Sequence, residues 1–164
     1  MRHDPAAVLR RLTHGVYVIG VSDGDRCNAF TAAWVMQVSF DPPLLALSIH
    51  PQHASREMLV RGGVFTVNVL PEGRMDLAEH FGRPGKAEKL HDTEWHAAKT
   101  GAPILDEAMA WLDCEFSHEC AAGDHVLVIG RVVDGAVIDA DASPMNYRDT
   151  GDMDGSSRLF PDEF

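Results

Sequence analysis

Basic side chains are scarce in this sequence of 164 residues. Lysine and arginine together number 14, against 25 aspartates and glutamates, which gives a formal net charge of −11. Nucleic acids and anionic membranes are bound by basic protein faces, so this balance argues against either as a partner. It does not exclude a small anionic ligand, which needs only a local cation or a few backbone N–H groups.

Long apolar runs and cysteines are also few. No stretch approaches the roughly 18 apolar residues of a transmembrane helix. The first segment, MRHDPAAVLRRLTHG, lacks the apolar core of a secretory signal. Three cysteines, Cys27, Cys114 and Cys120, form an odd and sparse set that does not indicate a disulfide framework. We therefore expect a cytoplasmic protein.

Several catalytic and metal-binding motifs are missing as well. The sequence contains no G-x-G-x-x-G dinucleotide fingerprint. Cys114, His118 and Cys120 fall on one face of a predicted strand, but the C-x2-C pairing of zinc sites is absent. Because free cysteine packs as a small hydrophobe, we interpret this face as core with two buried thiols and predict no metal site.

One strand has side chains that are too small for ordinary packing, within NAFTAAWVMQVSFDPPLLALSIHP at 28–51. Small residues stand where a packed strand normally has valine or isoleucine, namely Ala29, Thr31, Ala32 and Ala33. Pro42–Pro43 predicts a sharp corner after the strand. Small side chains let a planar ring approach the main chain and hydrogen-bond to it. Packing against a neighbouring strand or a second subunit explains the same pattern.

The remaining pattern predicts a mainly β chain with short helices. Six strands are expected, at 17–21, from 28, at 44–49, at 64–70, at 110–120 and at 124–138, the last as one strand or as a hairpin around Asp134-Gly135. Short helices are expected between Asp4 and Gly15, at 53–61 and at 74–81, with residues 83–103 irregular. Tight connections favour a small antiparallel barrel over a doubly wound α/β sheet. We assign residues 1–164 to a single domain with an irregular tail over about 141–164.

A cluster of cations occurs in one loop of this acidic chain. The stretch HFGRPGKAEK at 80–89 gathers Arg83, Lys86 and Lys89 beside two glycines. The guanidinium of Arg83 is suited to bind a phosphate through paired hydrogen bonds. A loop whose cations are simply solvated is the alternative.

Two further groups could bind a ligand. The first N–H groups of the helix at 53–61, together with Ser55 and Arg56, offer a second anion site. His125 follows a Gly-Asp turn at the start of a strand, where an imidazole can donate to a ligand carbonyl. A structural role for this histidine is the alternative.

Taken together and in order, these segments resemble the flavin reductase-like family of FMN-binding split-barrel proteins. The similarity extends over roughly residues 5–140 and is carried by GVYVIGVSDG (15–24), NAFTAAWVMQVSFDPPLLALSI (28–49), FTVNVL (65–70), LAEHFGR (77–83), EW (94–95), GAPILDEAMAWLDCE (101–115) and GDHVLVIGRVVDG (123–135). The resemblance implies a Greek-key split β-barrel that forms a homodimer. It also implies that FMN, or alternatively FAD, is bound near the subunit interface. The bound flavin is expected to be reduced by NADH or NADPH.

The resemblance also implies which residues form the site. The flavin ring is expected to contact Asn28, Thr31, Ala32, Ala33 and Trp34, with Ser48, Ile49 and His50 on the next strand. The phosphate and ribityl chain are expected near Ser55, Arg56, Phe81, Gly82 and Arg83. His125 is the implied catalytic residue, near the flavin or the nicotinamide.

Two features depart from the family pattern. Many relatives have a serine where this chain has Trp34, and the ending PMNYRDTGDMDGSSRLFPDEF differs from the short ending of the reductases. We predict an NAD(P)H-dependent flavin oxidoreductase that delivers electrons to a partner such as an oxygenase. The alternatives are a non-enzymatic flavin-binding electron carrier and a haem binder with axial ligands among His50, His53 and His125.

Overall fold

The computed structural model of the chain describes residues 3–85 and 88–161. Within these ranges the strands are β1 Tyr17–Ser22, β2 Cys27–Ala32, β3 Val35–Ser39, β4 Leu44–Ile49, β5 Val64–Val69, β6 Trp95–Ala97, β7 Pro103–Leu105, β8 Ala110–Ala122 and β9 His125–Val137. The helices are α1 Pro5–Leu9, α2 Arg56–Gly62 and α3 Met75–Gly82, followed by two short 3-10 helices at Tyr147–Thr150 and Ser156–Arg158. Among the described helices, none is both long enough and apolar enough to cross a bilayer.

Seven strands form one antiparallel sheet in the order β2-β1-β5-β8-β9-β4-β3, and β6 and β7 form a separate pair. The sheet is not closed, because β2 and β3 lie at its two edges and no ladder joins them within the described residues. Ala33 and Trp34 connect these two edge strands directly. The prediction of a mainly β, antiparallel chain with short helices is confirmed.

Both faces of the central strands are buried, which explains the continuous apolar run YVIGVS in β1. One cluster fills the inside of the curved sheet around Ile19, Leu47 and Phe65. The other lies between the outer face and α3, and includes Val18 and Phe81. This second cluster fixes α3 against β2, where the small side chains lie.

Several predicted elements differ from those observed. The predicted count of six strands misses β3, β6 and β7, which are short or flanked by polar residues. The hairpin alternative at Asp134-Gly135 is wrong: these residues continue β9 and pair with Asp113 and Leu112 of β8. Helix α1 ends at Leu9, well before Gly15, although Asp4 caps it as expected through a hydrogen bond from Ala7 N to Asp4 Oδ1 of 3.0 Å.

The prediction of two buried thiols on one face of β8 is wrong. Cys114 is buried in the core, whereas Cys120 is exposed. The reason is a β-bulge between Phe116 and His118, which inserts one extra residue and reverses the faces of all residues after it. The described residues contain no group of three or more histidine, cysteine or acidic side chains placed to hold a metal ion.

The tail is fixed to the sheet rather than free of it. Met145 is buried in the outer cluster, and its backbone exchanges hydrogen bonds with Val16 and Leu70. Asn146 forms a β-bridge with Gly15. The tail therefore covers one end of α3 and β2, up to residue 161; residues 162–164 lie outside the described ranges. The assignment of all 164 residues to one domain remains a prediction.

Candidate functional site

A cavity of about 430 Å³ opens beside the small residues of β2. Its wall consists of Thr31, Ala32 and Ala33 from β2 and its end, Glu79, Gly82, Arg83 and Pro84 from α3 and the residues after it, Val16, and four tail residues, Tyr147, Thr150, Met153 and Asp154. The structure thus brings together five of the predicted site residues. We refer to this space as the β2 cavity.

Small side chains and one hydrogen bond shape this cavity. Thr31 Oγ1 donates to the carbonyl oxygen of Ala78 at 2.8 Å, which ties β2 to α3. Ala32 and Ala33 are half-buried and leave adjacent main chain within reach of a ligand. A Cβ atom added at Gly82 would lie 3.5 Å from Met153 Cε, an ordinary van der Waals contact, so α3 and the tail pack closely at this point of the wall. These contacts provide a slot where larger β-branched residues would fill the space.

The tail wall of the β2 cavity was not predicted from the sequence. Tyr147 Oη donates to Asp154 Oδ2 at 2.6 Å and also contacts Ser156 Oγ at 2.9 Å. Burial, together with the bond to Asp154, raises the pKa of Tyr147 to about 12, so the phenol stays protonated near neutral pH. The available signal was the alternation of Met145 and Tyr147, two large side chains in an otherwise polar tail.

A second, wider cavity of about 970 Å³ lies near the opposite end of β2. Asn28 lines it, and Asn28 Nδ2 donates to Ser55 Oγ at 3.2 Å. Asn28 Oδ1 is buried and has no hydrogen-bond partner within residues 3–85 and 88–161. A buried acceptor without a partner costs free energy unless a ligand or water donates to it.

The predicted cations have three different environments. Arg83 is exposed at the rim of the β2 cavity, and its guanidinium forms no hydrogen bond or ion pair with the described residues. Arg56 is already paired with Glu119. Lys89 is buried, and Lys86 lies outside the described residues.

The predicted anion site on α2 is not formed as expected. The helix begins at Arg56 instead of residue 53 and has only seven residues. The backbone N–H of Ser55 donates to His53 Nδ1 at 3.2 Å, and Arg56 is neutralised by Glu119. The helix start consequently lacks the free cation on which the prediction depended.

Three other predicted residues form an aromatic cluster next to Ala33. The ring of Trp34 lies 5.2 Å from that of His125, and the ring of His50 lies 5.6 Å from His125, between centroids. His125 Nδ1 contacts Asp124 Oδ1 at 2.8 Å. Because a carboxylate accepts hydrogen bonds, Nδ1 carries the proton and Nε2 is left for a ligand. This hydrogen bond lowers the pKa of Asp124.

Ser48 is half-buried, and its backbone N–H donates to the carbonyl oxygen of Trp34 at 2.9 Å, which holds the end of β2 and the aromatic cluster against β4. By contrast, Ile49 and Phe81 have side chains in the two core clusters. These two can reach a ligand only through their main-chain atoms. Both follow the apolar periodicity of their element, since Ile49 joins Leu45 and Leu47 in the inner cluster and Phe81 joins Leu77 in the outer one.

The residues present fit a phosphorylated flavin. The ring needs exposed main chain, which Ala32 and Ala33 leave free, and polar partners such as the unpaired Asn28 Oδ1. The phosphate needs a cation without a partner, and both Arg83 and Lys89 lack an ion-pair partner within the described residues.

A model of the family described as "Flavin reductase like domain" matches residues 9–156. Diflavin flavoprotein A 1 from Synechocystis sp. is 30% identical over 152 residues, which are 90% of this chain and 26% of that protein. The chain therefore spans about a quarter of the length of the diflavin flavoproteins it matches.

Two solved structures of related proteins have the same fold as this chain. The NADH:FAD oxidoreductase SgcE6 from Streptomyces globisporus C-1027 has a TM-score of 0.80 and 26% identity, covering 89% of this chain and 91% of that one. The FMN-binding protein from Thermus thermophilus, with bound p-hydroxybenzaldehyde, has a TM-score of 0.73 and 30% identity. The match covers 78% of this chain and 74% of that one. These likenesses confirm the split-barrel fold. Since the family model covers nearly the whole chain, this protein belongs to the flavin reductase-like family.

Proposed function

We propose that this domain binds FMN along β2 and uses it to transfer electrons from NADH or NADPH to an acceptor. The observation that carries the proposal is the β2 cavity, where Ala32, Ala33 and Gly82 leave main chain open beside Arg83. The family membership and the names of the solved neighbours support a flavin as the ligand. FMN is preferred to FAD because the Thermus FMN-binding protein is the more similar in sequence of the two neighbours described.

The protein's own residues supply position and protons. A bound flavin accepts hydride from a nicotinamide and passes electrons on. The main chain around Ala32 and Ala33 holds the ring edge, and Arg83 binds the phosphate or the ribityl chain. Tyr147 and Met153 exclude water from the outer side of the cavity. His125 accepts a hydrogen bond at Nε2 from the carboxamide NH2 group of the nicotinamide.

The direct test is an anaerobic titration of the purified protein with FMN, FAD and haem, followed by addition of NADH or NADPH. Under anaerobic conditions we expect tight FMN binding and a flavin absorption spectrum. In a separate aerobic assay with excess FMN we expect steady nicotinamide oxidation. Tight flavin binding with negligible oxidation would instead identify an electron carrier. A Soret band with no flavin binding would overturn the proposal in favour of haem.

Replacement of His125 with glutamine is expected to lower kcat/KM for the nicotinamide by roughly 10-fold to 100-fold, the effect of losing one or two hydrogen bonds in the reacting complex. FMN affinity should remain within about threefold, because His125 lies in the aromatic cluster and not in the wall of the β2 cavity. Stopped-flow flavin reduction and fluorescence titration measure the two quantities separately.

The matched control for this variant is His118→Gln, which changes an exposed histidine on the neighbouring strand β8. It should leave both quantities unchanged. Equal losses of FMN affinity and kcat/KM in His125→Gln would contradict a role specific to the nicotinamide.

We also propose that two copies of the chain associate through β3. Every second residue along this strand and its ends is a large apolar one that is exposed to solvent, and Phe40 is 89% exposed. These residues are Trp34, Met36, Val38 and Phe40. Among the described strands, β3 pairs with β4 alone, so its other edge is available. An exposed apolar row on a sheet edge is typical of an association surface. Because the row begins beside Ala33, a second copy would also cover the β2 cavity.

Met36→Glu is expected to weaken this dimer by about 100-fold, because a carboxylate buried without a partner costs several kcal/mol. Analytical ultracentrifugation over a range of concentrations measures the dissociation constant. Leu12→Glu introduces the same charge at an exposed leucine outside the sheet and serves as the control. A wild-type protein that stays monomeric at every concentration would refute the dimer.

The acceptor is proposed to be another redox protein or redox domain. The name of the Synechocystis relative says that it contains two flavins, and its matched region is only a quarter of its length. An oxygenase that takes reduced flavin is the alternative acceptor. Measuring whether reduced FMN leaves the protein during turnover distinguishes the two, since a bound prosthetic group stays with the chain.

A further inference from the structure

Asp154 is a carboxylate in the wall of the β2 cavity that the proposed function does not use. Its Oδ2 atom accepts a hydrogen bond of 2.6 Å from Tyr147 Oη, and its Oδ1 atom accepts one of 3.0 Å from the backbone N–H of Ser156. A carboxylate that accepts through both oxygens does so as the anion. The two donors therefore fix a negative charge at this point of the wall.

The tail holds this charge in place through further contacts. Ser157 donates to Asp152 through its backbone N–H, at 3.0 Å, and through its hydroxyl group, at 2.5 Å, which closes the loop that carries Asp154. The side chain of Met153 packs against the outer cluster and seats the same loop on the sheet. The carboxylate of Asp154 is consequently held beside the cavity by residues on both sides of it.

The charges in the cavity wall do not balance around the proposed place of the ring. Within the described residues, the charged side chains of this wall belong to Glu79, Arg83 and Asp154. Arg83 is exposed at the rim and is assigned above to the phosphate or the ribityl chain. The two other charges are both negative, and Asp154 is held by the hydrogen bonds described above. A ring in this cavity thus faces a negative charge that no wall cation offsets.

Such a charge distinguishes the two redox states of a flavin. Hydride transfer moves one hydrogen and two electrons from NADH to the ring, so NADH leaves as NAD+ and the flavin gains one negative charge. A nearby carboxylate repels the added charge, and the repulsion grows where water is excluded. Tyr147 and Met153 cover the outer side of the cavity and exclude water there.

We propose that Asp154 weakens the binding of reduced flavin relative to oxidised flavin, so that bound FMN passes its electrons more readily to the acceptor. This inference rests on the proposed function, because it requires a flavin ring in the β2 cavity. Asp154 is itself exposed, so water and salt screen part of its charge and the expected effect is moderate. Its role is to tune the reduction potential and not to bind the oxidised ring.

The experiment measures the reduction potential of bound FMN and the dissociation constant of oxidised FMN in wild-type protein, Asp154→Asn and Asp154→Glu. Asp154→Asn removes the charge and keeps the size of the side chain. It should raise the potential by the equivalent of a roughly threefold to tenfold gain in affinity for reduced over oxidised FMN. The affinity for oxidised FMN should change by less than about threefold. Asp154→Glu keeps the charge and should remain close to the wild-type potential.

Asp141→Asn is the matched control, because it removes the same charge from an exposed tail residue that lines neither cavity. It should leave the potential unchanged. Salt gives a second readout that does not depend on the folding of a variant. Screening of an exposed carboxylate should raise the wild-type potential as salt is added, and Asp154→Asn should respond less.

A merely structural role for Asp154 gives a different result. In that case Asp154→Asn would lose affinity for oxidised and reduced FMN equally and keep the wild-type potential, which would overturn the inference and leave the proposed function standing. A wild-type potential that does not change with salt would overturn it as well. Wild-type protein that binds no flavin would instead refute the proposed function itself.

Discussion

Ala33→Leu should abolish most flavin binding while the protein remains folded. Ala33 lines the β2 cavity and is only half-buried, so the larger side chain enters the space of the ligand instead of the core. Overpacking of about 3 kcal/mol corresponds to roughly 100-fold weaker binding. Stability in urea should change by no more than about 0.5 kcal/mol, as for other substitutions outside the core. Fluorescence titration with FMN and with riboflavin measures the effect, which should be equal for both ligands.

Ala97→Leu is the matched control for this substitution. Ala97 is exposed on β6 and lines neither cavity, so the same added atoms should leave flavin affinity unchanged. Wild-type affinity in Ala33→Leu would show that the ring does not lie on the end of β2. A loss of affinity for FMN alone, with the affinity for riboflavin unchanged, would likewise contradict the proposed place of the ring.

Phe65→Ala should cause the largest loss of stability, about 3–5 kcal/mol, because Phe65 is fully buried in the inner cluster and a large cavity replaces its ring. Equilibrium unfolding in urea measures this change. Leu12→Ala, at an exposed position outside the sheet, should cost less than about 0.5 kcal/mol. A loss below about 1 kcal/mol for Phe65→Ala would mean that the sheet does not curve around this ring.

The glycine facing Phe65 provides a second test of the same packing. A Cβ atom added at Gly130 of β9 would overlap the ring atoms Cζ and Cε1 of Phe65 and lie 3.3 Å from Cys114 Cβ. Gly130→Ala alone should therefore cost about 1–3 kcal/mol. In the double variant with Phe65→Ala the added methyl group partly fills the cavity, so the combined loss should be at least about 1 kcal/mol smaller than the sum. Additive losses would contradict the contact.

The positions of most strands could be predicted from the sequence because their signals are local. β1, β4 and β5 are rich in β-branched and aliphatic residues, and each is observed within about one residue of its predicted range. The corner at Pro42–Pro43 is a turn, as proline requires. β3 was not separated from the strand predicted from residue 28, because Ala33 and Trp34, which divide β2 from β3, are not turn-forming residues.

The face of each side chain was less predictable, because it depends on contacts between distant parts of the chain. One extra residue between Phe116 and His118 places Cys120 in solvent, and nothing in the local sequence identifies that bulge. Lys89 was expected in a loop of cations at 80–89, with simple solvation as the alternative, whereas packing of that loop against α3 buries it.

By itself the sequence determined the strand framework, the acidic balance, the small side chains of β2 and the resemblance that implied a flavin. Each of these is a property of residues close together in the chain. Only the tertiary structure decided that the tail residues Tyr147 and Met153 complete the β2 cavity and that Lys89 is buried with its ammonium bound to the carbonyl oxygen of Phe81. The physical reason is that a cavity and a buried charge exist only where segments far apart in sequence pack together, as Thr31 and Ala78 do across 47 residues.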